Sequence, residues 1–293
     1  MHSLLTAVKS KMYIFAHRKA RGMLDGEYAS VFHGRSLDFA ELRAYVPGDD
    51  VRDIDWKAST RVGTPLIKRY VATRRQQILF VADTGRNMAA LAAGGETKKD
   101  VAVMAMGVIG SLALNHGDSV ALVHGDSRTS TALPAQGTEQ HLERLLRCVD
   151  ATGLGAGSSD LVAQLDYAST DFKRRMLLVV LADGIAVDAR CTKVLRRLAA
   201  QHELLWVHIA DAELAGPHAI AGTARDVAGQ DPVLTMLAQD PRLARDYADA
   251  MAARTQALAG LLGANGIVQA TMGHTDQVVS AVFALLERHR RAR

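Results

Sequence analysis

From residue 77 onward the apolar positions fall into short runs separated by longer amphipathic stretches. "QILFVAD" (77–83) is almost wholly apolar, as suits a strand covered on both faces. Residues 97–116 read as a helix and "SVALVHGD" (119–126) as the next strand. "RTSTALP" (128–134) alternates like an edge strand, pairing with it as a hairpin around Gly125-Asp126-Ser127. A helix follows at 138–149. The glycine-rich "GLGAGSSD" (153–160) then leads into a helix from about Leu161, capped by Ser158 or Ser159. "RMLLVVLAD" (175–183) is the most buried-looking strand. After it come a helix at 189–201, the strand "ELLWVHIAD" (203–211) and a polar, glycine-rich stretch at 212–232. A long helix at 240–262 carries Leu243, Tyr247, Met251, Leu258, Leu261 and Leu262 at helical spacing, before a strand "GIVQATMG" (266–273) and a helix at 275–290.

Strands alternating with helices of about ten or more residues imply an α/β fold. The expected architecture is a doubly wound, mostly parallel sheet with helices on both faces and right-handed crossovers. Residues 77–293 form this domain; residues 1–76 form a basic arm and an extended segment expected to pack on it. Ligands of such sheets gather outside the carboxyl ends of the strands, near the point where strand order reverses. Three strands end on an acid, at Asp83, Asp183 and Asp211, so at least two of these carboxylates are expected on one rim.

Composition narrows the setting. A chain of 293 residues with 48% apolar content can bury a substantial core. Its two cysteines, Cys148 and Cys191, lie far apart and outside any CxxC, which excludes a disulfide framework or structural zinc and fits a reducing cytosol. The N-terminus lacks the apolar core of a secretory signal. The longest uncharged run, Val101 to Asn115, is shorter than the roughly 20 residues of a membrane span and reads as a core helix. A cytoplasmic protein without a transmembrane segment is expected. Net charge is +4, with Lys9, Lys11, Arg18, Lys19 and Arg21 near one end and "ERHRRAR" at the other. These read as solvated termini; no aromatic or glycine pattern accompanies them, which argues against a nucleic-acid partner.

The rim carries the candidate chemistry. Asp83 opens "DTGRNM", and a loop bearing Ser158, Ser159 and Asp160 can overhang it together with Asp183. Oxygen donors of this kind suit a hard cation such as Mg²⁺. The pattern resembles a von Willebrand factor type A domain, whose adhesion site takes Asp-x-Ser-x-Ser, a later Thr and a later Asp. Asp83 matches the first Asp, Gly85 and Asn87 stand where the serines belong, Ser159 in "GSSDL" matches the Thr, and Asp183 the last Asp. The resemblance implies a degenerate magnesium site of Asp83, Asn87, Ser159 and Asp183, with Thr84 and Asp160 as outer or alternate ligands. The residues alone also allow Asp83 and Asp183 simply to cap helices and satisfy loop amides.

Upstream, "YVPGDDVRDIDWK" (45–57) concentrates acids beside arginine and tryptophan. Pro47-Gly48 suits a turn whose second residue needs positive φ. Asp49 and Asp50 can accept from amides, while Arg43, Arg52 and Arg61 offer bidentate counter-charges to the acids, Asp55 among them; around a buried Trp56 they would form a clasp. Tyr45, Arg43, Arg52 and Trp56 are also residue types enriched at interfaces. A catalytic pair would need carboxylates in differing environments and a pocket between them, and the nearest histidine, His33, has no evident role. No catalytic residue is assigned.

This stretch resembles domain-of-unknown-function family 58, whose members carry Glu-Phe-x-x-Leu-Arg-x-Tyr-x-x-Gly-Asp-Asp-x-Arg-x-Ile-Asp-Trp ahead of a von Willebrand type A-like domain. Phe39, Leu42, Arg43, Tyr45, Gly48, Asp49, Asp50, Arg52, Ile54, Asp55 and Trp56 match, and Asp38 replaces the Glu. The resemblance implies a non-enzymatic interaction module with a degenerate adhesion-type site, partnered by a MoxR-type AAA+ ATPase in chaperone or complex-maturation work; the protein client stays open. Two alternatives remain: a Mg²⁺-dependent phosphoesterase or nuclease, though Asp-x-Asp is absent at Asp83-Thr84-Gly85 and no P-loop occurs, and a metal-free structural scaffold, which Gly85 favours.

Overall fold

The apolar runs become the strands of one sheet in the computed structural model, which describes residues 3–18, 35–73, 76–214, 226–227 and 240–292. Lys19, Arg21, His33 and most of the 212–232 stretch lie outside these residues, as do the side chains of Asp38 and Phe39. The chain divides into two units, Met1–Val31 with Gln77–Arg293 and, separately, Phe32–Gln76.

In the first unit the elements run α1 (Leu4–Arg18), β3 (Gln77–Asp83), α3 (Lys98–Asn115), β4 (Ser119–Gly125), β5 (Ser130–Gln136), α4 (Glu139–Asp150) and α5 (Leu161–Asp171). They continue through β6 (Leu177–Ala182), α6 (Ala189–Gln201), β7 (Glu203–Ile209), α7 (Pro241–Ala264), β8 (Val268–Met272) and α8 (Thr275–Arg291). β1, β2 and α2 belong to the second unit. The six strands lie in the order β5-β4-β3-β6-β7-β8. All neighbours are parallel except β5, antiparallel on β4. This is the expected doubly wound, mostly parallel sheet with helices on both faces. Leu79, Val81, Val123, Leu178, Val180 and Trp206 share one core with α5, α6 and α7. Alternation sends Ile78 and Phe80 to the opposite face, where α3 packs.

One boundary and one cap differ from expectation for a local reason. The Asp126 carboxylate accepts from the backbone N–H of Arg128 (2.8 Å) and Thr129 (3.2 Å), so a turn holds residues 126–129 and β5 starts only at Ser130. Likewise α5 is capped by Asp160, which accepts from the Ala163 N–H at 3.1 Å, and not by Ser158 or Ser159.

The uncharged run is the core helix α3, enclosed by α1, α4 and α8 on its outer sides. Glycine makes room for one of them: a β-carbon on Gly107 would stand 2.5 Å from Val8 Cγ2. The basic N-terminal region is therefore a docked helix up to Arg18, where a solvated arm was expected. Leu5 and Val8 are buried. The Glu143 carboxylate accepts from Ser3 Oγ (3.0 Å) and from the backbone N–H of Leu4 (3.2 Å) and Leu5 (2.8 Å), satisfying the first amides of α1. Lys9 pairs with Glu139 at 2.6 Å and Lys11 with Asp276 at 2.7 Å. At the other end Arg288, Arg290 and Arg291 sit in the last turn of α8, where positive charge complements the helix dipole. No described helix is long and apolar enough to cross a membrane.

The second unit is a two-stranded antiparallel hairpin, β1 (Arg35–Ala44) and β2 (Leu66–Thr73), with α2 (Trp56–Val62) inserted between its strands. An extended segment was expected; the signature instead folds back on itself. Gly48 adopts φ +111° in the turn closed by the Asp49 N–H to the Val46 carbonyl (3.1 Å). Arg43 grips Asp49 bidentately, at 2.8 and 2.6 Å. The other acids bond to backbone: Asp50 accepts from the Arg52 N–H, as expected of it, and Asp55 caps α2 through the N–H groups of Lys57 and Ala58. Trp56 is 63% exposed where burial was expected. It stands in the first turn of a seven-residue helix whose one buried residue is Ser59, and a two-stranded ribbon offers no second layer to cover it.

Candidate functional site

β3 and β6 are neighbours at the point where strand order reverses. Their parallel register pairs Ala82 with Leu181, so Asp83 and Asp183 leave the sheet at the same edge, with Asp211 just beyond the end of β7. The three strand-ending acids therefore share the carboxyl edge of the sheet.

Asp83 is fully buried and its Oδ1 accepts from the Gly85 N–H at 2.7 Å. Burial pushes its pKa up to about 6; the Ser159 hydroxyl and Gly85 amide pull against that, Asp183 adds to it, and Lys98 opposes it. Ser159 lies near enough to favour the charged form, yet neither Asp83 Oδ2 nor Ser159 Oγ makes a hydrogen bond of good geometry, and both are buried.

Ser159 is held there by backbone. The Arg86 N–H donates to the Gly157 carbonyl (2.8 Å), the Gly157 N–H to Asp126 Oδ2 (2.6 Å) and the Ser127 N–H to the Ser158 carbonyl (2.8 Å). These contacts fasten the glycine-rich loop over the ends of β3 and β4 and press Ser159 onto Gly85. A β-carbon at residue 85 would lie 2.6 Å from the Ser159 N, Cα and Oγ atoms. The space a serine side chain would need is already filled. The two expected outer ligands turn elsewhere: Thr84 Oγ1 donates to the Gly125 carbonyl (3.0 Å), and Asp160 caps α5 with Arg190 at 3.7 Å.

The rim's cation is a lysine that motif reading passed over. The segment before α3 is laid across the ends of β7 and β8: the Ala93 N–H donates to the Ala210 carbonyl (3.0 Å) and the Gly94 N–H to the Gly273 carbonyl (2.8 Å). Glu96 accepts from the Thr275 N–H and hydroxyl (2.7 and 2.6 Å). This path delivers Lys98 with its side chain 4% exposed, Nζ 2.8 Å from Asp183 Oδ2 and ion-paired with Asp211 Oδ1. Burial lowers the ammonium's pKa, and the two carboxylates more than reverse that. Lys98 follows the cap residue Thr97, at the positive end of the helix dipole, where a cation is disfavoured unless acids answer it. That misplacement was the one sequence signal for it.

Beside the ion pair, between the strand ends and α7, lies a cavity of about 410 Å³. Asn87 and Asp183 line it together with His208, Asp211, Arg254 and Thr255. Burial pushes the His208 pKa down, against the pull of Asp183 and Asp211. His208 and Arg254 carried no motif and were not foreseen.

These donors fall short of an adhesion-type magnesium site. Asp83 Oδ2 and Ser159 Oγ are orphaned and point to a polar need, but Gly85 supplies no ligand, its space is closed, and Asp183 already faces an ammonium. Among the described residues no three His, Cys, Asp or Glu side chains group as metal ligands. Mg²⁺ demands near-octahedral oxygen geometry; the residues present do not fit it.

Comparison with known proteins places these features in context. Residues 41–257 match the model of a family described as "Protein of unknown function DUF58". An uncharacterized protein of Mycobacterium bovis is 28% identical over 255 residues, 85% of this chain and 78% of its own length. An uncharacterized protein of Mycobacterium tuberculosis strain H37Rv matches to the same extent. Among solved structures, a von Willebrand factor type A protein from Catenulispora acidiphila aligns at TM-score 0.46 and 10% identity, over 75% of this chain and 44% of that one. BatB from Bacteroides thetaiotaomicron aligns at TM-score 0.43 and 12% identity, over 74% and 99%.

Proposed function

The chain belongs to the DUF58 family of proteins of unknown function, and from that premise we propose that it is a non-enzymatic protein-interaction module. Its recognition surface is the strand-end rim with the cavity beside it, presented by Asn87, Asp183, Asp211 and Arg254 and underlain by the buried Asp83 carboxylate and Ser159 hydroxyl. The partner is a MoxR-type AAA+ ATPase, as the family resemblance implies, and the pair acts in chaperone or complex-maturation work. One observation carries the reading: the rim collects acids and hydrogen-bonding groups at an open edge, but ties them into the scaffold. Asp83 is held by the Gly85 amide and Asp183 by Lys98, while Asp211 keeps its side chain 48% exposed. Fixed, partly exposed donors and acceptors suit recognition. A phosphoesterase would need a metal-bound or otherwise activated nucleophile, and the donor set argues against one.

The signature unit offers a second contact. Arg43 and Asp49 stiffen its turn, and Trp56, Val46, Val51 and Val62 are exposed beside Arg52 and Arg61. Exposed tryptophan and arginine are the residue types that dominate binding energy at interfaces.

Co-elution of the chain with the MoxR-type ATPase of the same organism tests the proposal. Asn87→Ala combined with Asp211→Ala is expected to weaken the complex about tenfold or more, the loss of roughly 1.4 kcal/mol. No complex with the wild-type chain, or turnover of phosphoester substrates that Asp183→Asn abolishes, would refute it. Loss on Trp56→Ala without loss at the rim would move recognition to the signature unit.

A further inference from the structure

We infer that Lys98 is the resident cation of this rim, standing in for the divalent ion of adhesion-type sites, so that the rim is assembled and works without metal. The inference rests on the reading of the rim as the recognition surface for its functional meaning. Its test uses the chain alone, so either can fail while the other stands.

Three features of the geometry converge on it. The ammonium joins acids from two adjacent strand ends, Asp183 after β6 and Asp211 after β7, with Asp183 only 9% exposed. Its approach is built in: the backbone from Ala92 to Thr97 is hydrogen-bonded to the strand ends at Ala210 and Gly273 and to the start of α8 through Glu96, so Lys98 is not a surface lysine that happened to fold inward. On the other side of Asp83, Ser159 closes on Gly85 and removes the room in which a further ligand would sit. A divalent ion entering here would meet a fixed positive charge on the carboxylate it needs. One internal ammonium can neutralise part of the rim's charge but leaves no open coordination position. A partner's carboxylate then has nothing to complete, and the half-exposed acceptor, Asp211, is offered instead to hydrogen-bond donors.

The experiment is calorimetric titration of the full chain with MnCl₂ and MgCl₂, paired with thermal melts in EDTA and in Mn²⁺, for wild type, Lys98→Arg and Lys98→Ala. Wild type and Lys98→Arg are expected to show no one-site binding and the same melting temperature in EDTA and Mn²⁺. Lys98→Ala, with two carboxylates left facing each other, is expected to melt lower in EDTA and to be raised by Mn²⁺. One Mn²⁺ per wild-type chain with an EDTA-sensitive melt overturns the inference. So does a folded Lys98→Ala that ignores Mn²⁺, since Lys98 would then fill no cation seat. If Lys98→Ala is unfolded in EDTA, recovery of its circular dichroism in Mn²⁺ supports the inference, and failure to recover counts against it.

Discussion

The rim and the signature hairpin are both built from aspartates and basic residues, yet their acids do different work. At the rim, Asp83 is buried and Asp183 mostly so, a single ammonium answers Asp183 and Asp211, and burial raises the Asp83 pKa. In the hairpin, Asp50 and Asp55 cap short helical turns, while Arg43 holds the Asp49 carboxyl below its usual range. The difference is solvent. Water already stabilises an exposed carboxylate, so a partner adds shape more than energy. A buried one depends on its partner, because nothing else answers its charge.

The comparison breaks most visibly at Lys98. Lys98→Ala leaves the mostly buried Asp183 carboxylate without its ammonium and is expected to cost about 3–5 kcal/mol in denaturant unfolding; a loss below about 1 kcal/mol would put the rim on the hairpin's footing. Asp83→Asn tests the same point through pH. Because the folded carboxyl titrates near 6 and the unfolded one near 3.8, the folded state holds the proton more tightly between those values. Wild-type stability attributable to this group therefore falls as pH rises from about 4 to 6. The asparagine variant escapes that loss, so its advantage should be absent below pH 4 and reach about 2–3 kcal/mol above pH 6. A pH-independent difference in paired urea melts would contradict it. Gly85→Ser, which pushes a side chain into Ser159, is expected to cost about 1–3 kcal/mol by overpacking, measured by the same melts. At the hairpin, Asp55→Ala removes one cap and should cost about 1 kcal/mol; hydrogen exchange at Lys57 and Ala58 would locate the loss.

Much of this arrangement was legible. The central strands announced themselves because a sheet covered on both faces needs unbroken apolar runs, the edge strand β5 by its alternation, and the body of α3, Val101 to Asn115, because its enclosed turns carry no charge. Asp83, Asp183 and Asp211 were visible as acids closing such runs. Lys98 was not, since its meaning depends on Asp183, 85 residues further on, and on a loop path that only tertiary hydrogen bonds define. Helix α1 was hidden because few of its residues are buried, among them Leu5 and Val8, and its exposed positions mix polar and apolar residues, Tyr13 and Ile14 included, so no clean amphipathic stripe shows. Trp56 was misjudged as buried because aromatic content suggests a core, and a two-stranded unit has no layer to supply one. Asp55 before Trp56-Lys57-Ala58 was a readable helix start, masked by the nearby arginines.

The central claim, an acidic strand-end rim organised around its own ammonium, is tested most directly by a crystal structure of the chain grown in Mn²⁺, with anomalous data at the manganese edge. The account predicts Lys98 Nζ between Asp183 and Asp211 and no anomalous peak at the rim. A manganese peak coordinated by Asp83, Ser159 and Asp183, with Lys98 swung away, would contradict it.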